Sequence, residues 1–306
     1  MEASVRTTVI MGLLFAVSQL GALFMASAFL GPEEQIFENP NDPLIPVIYI
    51  ALVIGFTFGV LYIIKKHREN LVRIIFLGAV AYTIFFVLFI MLSSIVTGIL
   101  ATVASIGATA VITYYLVKKP EWYVIDASGI LMSIGVTALF GVSLSILPVM
   151  ILLIVLAAYD AISVYRTKHM IALADGVTQM RLPILLVIPK KRGYSYIQQK
   201  PLKQQLDEGD EREAMFMGLG DLIIPGVLVI SAFNFLPSDA IGAFTGNLLV
   251  ALGTLVGAIV GFATLMTFVI KGKPQAGLPL LNGGAILGYV LSYVLVYESL
   301  SLGITW

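Results

Sequence analysis

The sequence contains no cysteine, and only 12% of its 306 residues are charged. The first absence removes disulfides, thiol catalysis and thiolate-ligated metals. The second removes an ordinary soluble fold, since a soluble protein of this size carries roughly twice that charge. Histidine occurs only twice, as His67 and His169, both in or beside loops. Neither belongs to an HExxH pattern, and there is no nucleophile elbow. Both histidines read as solvated loop residues. The formal net charge is zero, which names no partner by itself. No metal, cofactor or nucleic acid is expected.

What is abundant is apolar sequence. Hydrophobic residues make up 59% of the chain, and they fall in runs of about 20 or more, the length that crosses a bilayer as a helix. The segment from Val5 to Leu30 is too long for the core of a signal peptide and has no convincing cleavage site, so it reads as the first span. The runs fall at 5–30, 44–64, 72–94, 98–117, 124–142, 146–165, 213–235, 240–270 and 276–302. The stretches 74–117 and 124–165 are each too long for one helix, and divide at Ser93/Gly98 and at Gly141/Pro148. The expectation is an all-α polytopic membrane protein of nine spans.

Charge placement orients it. Lys and Arg fall at Arg6, within 65–73, at Lys118 and Lys119, within 166–212, and at Lys271 and Lys273. These are the N-terminal tail and every second connection. All 18 basic residues then lie on one side, which the positive-inside rule makes the cytoplasm. The N-terminus is expected inside and the C-terminus outside. The organisation is a six-span block (1–165), a cytoplasmic loop (166–212) and a three-span block (213–306). Within the loop, "LPILLVIP" is too short to span and reads as a strand or an interfacial segment. "QQLDEGDERE" reads as a charged, solvated stretch. No internal repeat of the kind used by transporters is visible.

Few carboxylates fall inside spans, where each is costly enough to imply a use. Glu298, near the outer end of span nine, and Asp126, placed in the first turn of span five, read as interfacial or capping residues. Asp160 in "AAYDAIS" and Asp221 in "GLGDLII" differ, because neither has a basic residue in its own span. Asp160 lies six residues before Arg166, roughly 9 Å of helix, and Asp221 nine residues after Arg212, roughly 13 Å. On antiparallel neighbouring spans the two acids share a depth.

Around Asp221, Gly218 would sit at i−3 on one helical face and Gly220 would open the adjacent surface. Pro225 leaves the Asp221 carbonyl without its helical donor and should kink the helix there. Two neighbouring carboxyl groups titrate as a pair and can divide acid and base roles. One can deprotonate water while the other protonates an amide carbonyl, which is peptide hydrolysis without a covalent intermediate. A proton- or cation-coupled transporter using the same acids as a relay is the alternative. A prepilin peptidase-like enzyme, which also has GxGD, is a third.

At these residues the chain resembles the presenilin and signal peptide peptidase family of intramembrane aspartyl proteases. Tyr159-Asp160 is similar to the family's YD motif, and Gly218-Leu219-Gly220-Asp221 to its GxGD motif. The third motif, PAL, is matched by Pro279-Leu280-Leu281, in which Leu280 replaces the alanine. The resemblance implies that Asp160 and Asp221 are catalytic and that Tyr159, Gly218, Leu219, Gly220, Pro279, Leu280 and Leu281 support them. It also implies a prokaryotic, archaeal-type homologue that cuts transmembrane segments of other proteins within the bilayer. Accessory subunits are left open, and a second copy of the chain is a candidate partner. Proline disfavours helix at the residue before it, so Gln275 to Leu281 is expected to be extended. That stretch and the strand Leu185 to Ile188 are expected to hold an unwound substrate by β-addition. The short loops suit the cell membrane of a prokaryote.

Overall fold

In a computed structural model of the chain, residues 2–29, 35–66, 69–167, 183–191, 193–198, 213–270 and 275–304 are described. His67, His169 and most of the charged loop lie outside them. Nine α-helices occur among the described residues. They are α1 (Glu2–Phe29), α2 (Leu44–Lys65), α3 (Glu69–Ser93), α4 (Ile99–Lys118), α5 (Trp122–Ser143), α6 (Ile146–Ile162), α7 (Leu219–Phe235), α8 (Gly246–Ile270) and α9 (Leu278–Tyr297). Seven of them are long and apolar enough to cross a membrane. Helix α7 is shorter, at 17 residues.

Both long apolar runs break where turn chemistry predicts. Helix α4 starts after Gly98, whose φ of 71° lies in the left-handed region that favours glycine. Helix α6 starts after Ser145. Beyond Ile162 the helix widens into a π-helical turn, Ser163–Thr167.

Two compact units result. The first comprises Met1–Leu44, Ser133–Met170 and Gly220–Trp306. Its tightest element pair is α8 with α9, and the sequence explains why. Gly253, Gly257 and Gly261 recur every fourth residue on α8, as do Gly284 and Gly288 on α9. A Cβ on Gly257 would overlap the Gly284 carbonyl and stand 2.7 Å from the Gly288 Cα. The reverse holds at Gly284, whose added Cβ would stand 3.0 Å from the Gly261 Cα. Main chain therefore meets main chain, the close approach that small residues permit between helices in lipid. At the far end of α9, the Tyr289 hydroxyl donates to the Leu302 carbonyl at 2.7 Å. Exposed Glu298 ends the helix with a φ of 51°.

The second unit comprises Ile45–Met132 and Ile171–Leu219. Here β1 (Leu185–Pro189) pairs antiparallel with β2 (Ala214–Gly218), in a register that sets Leu186 against Met217 and Val187 against Phe216. A core of Val80, Ile84, Leu116 and Ile125 takes up Val187, Tyr196 and Ala214. The Glu121 carboxylate accepts from the Ser195 hydroxyl at 2.8 Å and from the Tyr196 amide at 3.1 Å, which ties these two residues to the start of α5.

Four expectations change. The run 213–235 is not one helix, because 214–218 is strand and α7 begins at Leu219. The start of the run 240–270 is a tight pair, β3 (Ala240–Ile241) with β4 (Phe244–Thr245). Leu278 to Leu281 is helical rather than extended. Pro279 occupies the first turn of α9, where a missing N–H costs nothing. Asp126 is no first-turn cap: it is buried in α5 at 6% exposure, and its Oδ1 accepts the Val187 amide at 2.7 Å. Of the two readings open for this segment, strand or interfacial, 185–189 is strand, and its partner was hidden inside the presumed span.

Forcing a branched side chain between α8 and α9 should cost about 1–3 kcal/mol or more. Gly257→Leu should lower the melting temperature in detergent by several degrees. Gly283→Ala, where nothing lies within 4 Å, should leave it unchanged. Equal melting of the two variants would contradict the packing.

Candidate active site

Asp160 and Asp221 sit in the same unit and are brought to one short piece of backbone. Asp160, near the C-terminal end of α6, is half-buried, and its Oδ2 accepts the Leu278 amide at 3.0 Å. Asp221 is the third residue of α7, also half-buried. Its Oδ1 and Oδ2 lie 3.3 and 3.4 Å from the point where a Cβ on Gly277 would stand. Gly277 is buried. The two acids, 61 residues apart in sequence, therefore meet the Gly277–Leu278 dipeptide from two helices.

The start of α9 explains this arrangement. A helix leaves its first N–H groups without partners. Gly277 supplies no side-chain cap, and Pro279 has no N–H to offer. The Leu280 and Leu281 amides turn back to the Gly277 carbonyl at 3.2 and 3.1 Å. That leaves the Leu278 amide, and the Asp160 carboxylate takes it. An acid at a helix N-terminus is also favoured by the aligned peptide dipoles, which act on Asp221 at the start of α7 as well.

The remaining residues of the three motifs divide by role. Tyr159 is 60% exposed. Gly218 ends β2, so it shares no helical face with Asp221; the expected i, i+3 relation does not exist. Helical depth counted from Arg212 fails for the same reason. Leu219 is buried within 3.1 Å of the Cβ position at Gly129 on α5 and anchors the strand-to-helix junction. Gly220 is exposed, with nothing within 4 Å of its Cβ position. Pro279 and Leu280 are half-buried and Leu281 fully buried. Gly261 of α8 lies directly behind the Leu280 carbonyl, so α8 backs this turn without a side chain between.

Sequence reasoning missed Gly277, Gln19 and Asn282. Gly277 stands next to the PxL pattern but looked like a spacer. The other two are carboxamides inside apolar runs, a signal that was available and is costly to leave unpaired in lipid. Among the described residues no cluster of His, Asp and Glu is built to hold a metal.

Such a fold and site define a class: a polytopic helical membrane protein in which two aspartates converge inside the apolar body. The family model for signal-peptide peptidase, presenilin aspartyl protease matches residues 11–297. Two solved structures of a presenilin family intramembrane aspartate protease, in C222 and P2 space groups, are each 33% identical to the chain. The first has a TM-score of 0.68, covering 94% of this chain and 99% of that one. The second has a TM-score of 0.64, with 93% and 96% covered. No curated protein sequence matches. The chain belongs to the signal-peptide peptidase and presenilin aspartyl protease family, and it is an intramembrane aspartyl protease. The transporter reading finds no support.

Gly277 has a φ of −77°, so alanine fits its backbone, and the only penalty is the methyl against the Asp221 carboxylate. Gly277→Ala should lower kcat about tenfold, a loss of about 1.4 kcal/mol, without lowering the melting temperature. Wild-type turnover in this variant would show that the dipeptide does not set the position of Asp221.

Proposed function

We propose that Asp160 and Asp221 are the catalytic pair and that they hydrolyse peptide bonds in transmembrane segments of other proteins. The observation that carries this is their shared contact with the Gly277–Leu278 dipeptide. One carboxylate takes a proton from water as the water oxygen bonds to the scissile carbonyl carbon. The other, protonated, gives its proton to the carbonyl oxygen. The first acid, now protonated, gives its proton to the departing nitrogen as the C–N bond breaks, while the second takes back a proton from a hydroxyl of the gem-diol. Both acids return to their starting states, and no metal or cofactor enters. Proton transfers of this kind contribute typically 10²–10⁴-fold in rate each.

The substrate must be unwound, because a helix hides its amide carbonyls in its own hydrogen bonds. The strand pair offers an edge, but not the one expected. The Leu219 amide donates to the Ile184 carbonyl and the Lys190 amide to the Glu213 carbonyl. In an antiparallel ladder, inward and outward residues alternate. Leu186, Ile188, Met215 and Met217 therefore turn their backbone groups toward the partner strand. Val187 turns outward, and Asp126 already occupies its amide. On β2 the outward residues are Ala214, Phe216 and Gly218. An extended substrate could add its own strand along these outward residues of β2.

The orientation follows from the charges: nine spans, with α2 and α7 added to the other seven helices, the N-terminus in the cytoplasm and the C-terminus outside. The six-span block ends in the Asp160 helix. The three-span block carries Asp221 and the PxL turn. Tyr159, Gly218, Leu219, Gly220, Pro279, Leu280 and Leu281 serve as its supporting residues. The membrane is the cell membrane of a prokaryote.

Purified protein offered a single-span substrate in detergent tests the assignment. Asp160→Asn and Asp221→Asn should each lose at least about 10³-fold in kcat, and hydroxyl-bearing peptide analogues should inhibit the wild type. Cleavage surviving either change would remove that acid from the chemistry. The edge is tested separately. Phe216→Pro deletes an outward amide and spares the ladder to β1, so it should cut turnover well below that of Phe216→Ala, the control for the lost ring. Equal turnover of the two would reject β-addition at this strand.

A further inference from the structure

We propose that Gln19 and Asn282 are positioning residues for the two aspartates, each locking an acid-bearing helix through a main-chain carbonyl. This rests on the assignment of Asp160 and Asp221 as the catalytic pair. Both carboxamides lie in apolar helices, Gln19 in α1 at 0% exposure and Asn282 in α9 at 1%. A buried carboxamide is unfavourable unless it is hydrogen-bonded. Each spends its amide group on one bond. Gln19 Nε2 donates to the carbonyl of Leu222, the residue after Asp221. Asn282 Nδ2 donates to the carbonyl of Leu153, two helical turns before Asp160, at 2.9 Å. Only the amino end of a carboxamide can donate to a carbonyl, so the orientation of both groups follows from the partner.

Each contact has a prepared seat. On α7, Gly226 faces Gln19. A Cβ there would overlap the Gln19 Oε1 and come within 2.7 Å of Thr137 Cγ2. The glycine is the slot that admits the carboxamide. One residue before it, Pro225 removes an amide from the helical ladder, and the turn between Asp221 and Pro225 loses a bond that would otherwise hold it. Gln19 grips that weakened turn from outside. On α9, Asn282 stands one turn beyond Leu278, whose amide binds Asp160. Helices α6 and α9 are thus joined by two rungs, Leu278 to Asp160 and Asn282 to Leu153. One rung leaves a helix free to swivel; two fix both its rotation and its axial register.

Neither side chain touches the acids, so each acts through the helix it holds. The oxygens of both, Gln19 Oε1 and Asn282 Oδ1, are buried and have no protein partner among the described residues. The donor bond is therefore the specific polar contact that each group makes. Loss of the donor should disturb the spacing of the carboxyl pair while leaving substrate binding nearly intact.

The test uses the full chain in detergent with a single-span substrate. Gln19→Met and Asn282→Leu keep the approximate shape and delete the donor. Each should lower kcat tenfold to a hundredfold, with KM within about twofold of wild type, and should weaken a hydroxyl-bearing transition-state analogue by a similar factor. Gln19→Glu and Asn282→Asp supply an O–H donor only when protonated. Their activity relative to wild type should recover as pH is lowered, and that of the Met and Leu variants should not.

Wild-type kcat in both apolar variants would overturn the inference. So would a loss that only tracks the folded fraction measured by melting, or a flat pH ratio in the acidic variants. Full cleavage by Asp160→Asn or Asp221→Asn would instead remove the catalytic assignment beneath it.

Discussion

A carboxylate inside a membrane protein needs donors, and the start of a helix needs acceptors. In this chain the two needs meet at one point, where Asp160 of α6 accepts the Leu278 amide at the N-terminus of α9. The motif around Pro279 gains a physical meaning from that bond. Proline contributes no amide, the Leu280 and Leu281 amides turn back on the Gly277 carbonyl, and the Leu278 and Gly277 amides are left to face the acid. Gly277, immediately before it, presents bare backbone to Asp221. The bare backbone of Gly277 beside the Leu278 amide is what lets two acids from different helices share a site.

That dipeptide must itself be held still. Helix α8 does this by lying against α9 backbone to backbone, with glycines on both sides. Bulky side chains would separate the helices and leave the start of α9 without a rigid wall. In lipid, where apolar side chains gain little by leaving one hydrocarbon surface for another, such close contact is a main source of helix affinity. The buried carboxamides add direction to that affinity. They favour one rotation and one register among many that would pack about as well.

The strand pair solves a different problem. Helix α7 begins with no loop before it, because β2 ends at Gly218 and the helix starts at Leu219. Leu219, buried against Gly129, fixes the changeover. Asp126 occupies the outward amide of β1, so the ladder is closed on one side by α5 and continues only at β2. An aspartate that looked like a membrane-interface residue is in this way tied to the sheet.

Most of the apolar helices, the breaks near Gly98 and between Gly141 and Pro148, and the two acids inside apolar runs were legible in the sequence, because apolar length and charge are local properties. Strand 185–189 was legible as well, from its bounding prolines. The extent of α7, the helical start of α9 and the duty of Asp126 were not, since each depends on a partner far along the chain. "AMFMG" is as apolar as any helix, and only the opposing β1 makes it a strand. Composition and charge order were enough to determine a helical membrane protein with acids at two positions, because the bilayer punishes any other reading. Which backbone those acids would touch was decided by tertiary structure alone. Hydrogen-bond partners are chosen by distance in space, and no pattern of neighbours in sequence encodes the meeting of residues 160, 221 and 277.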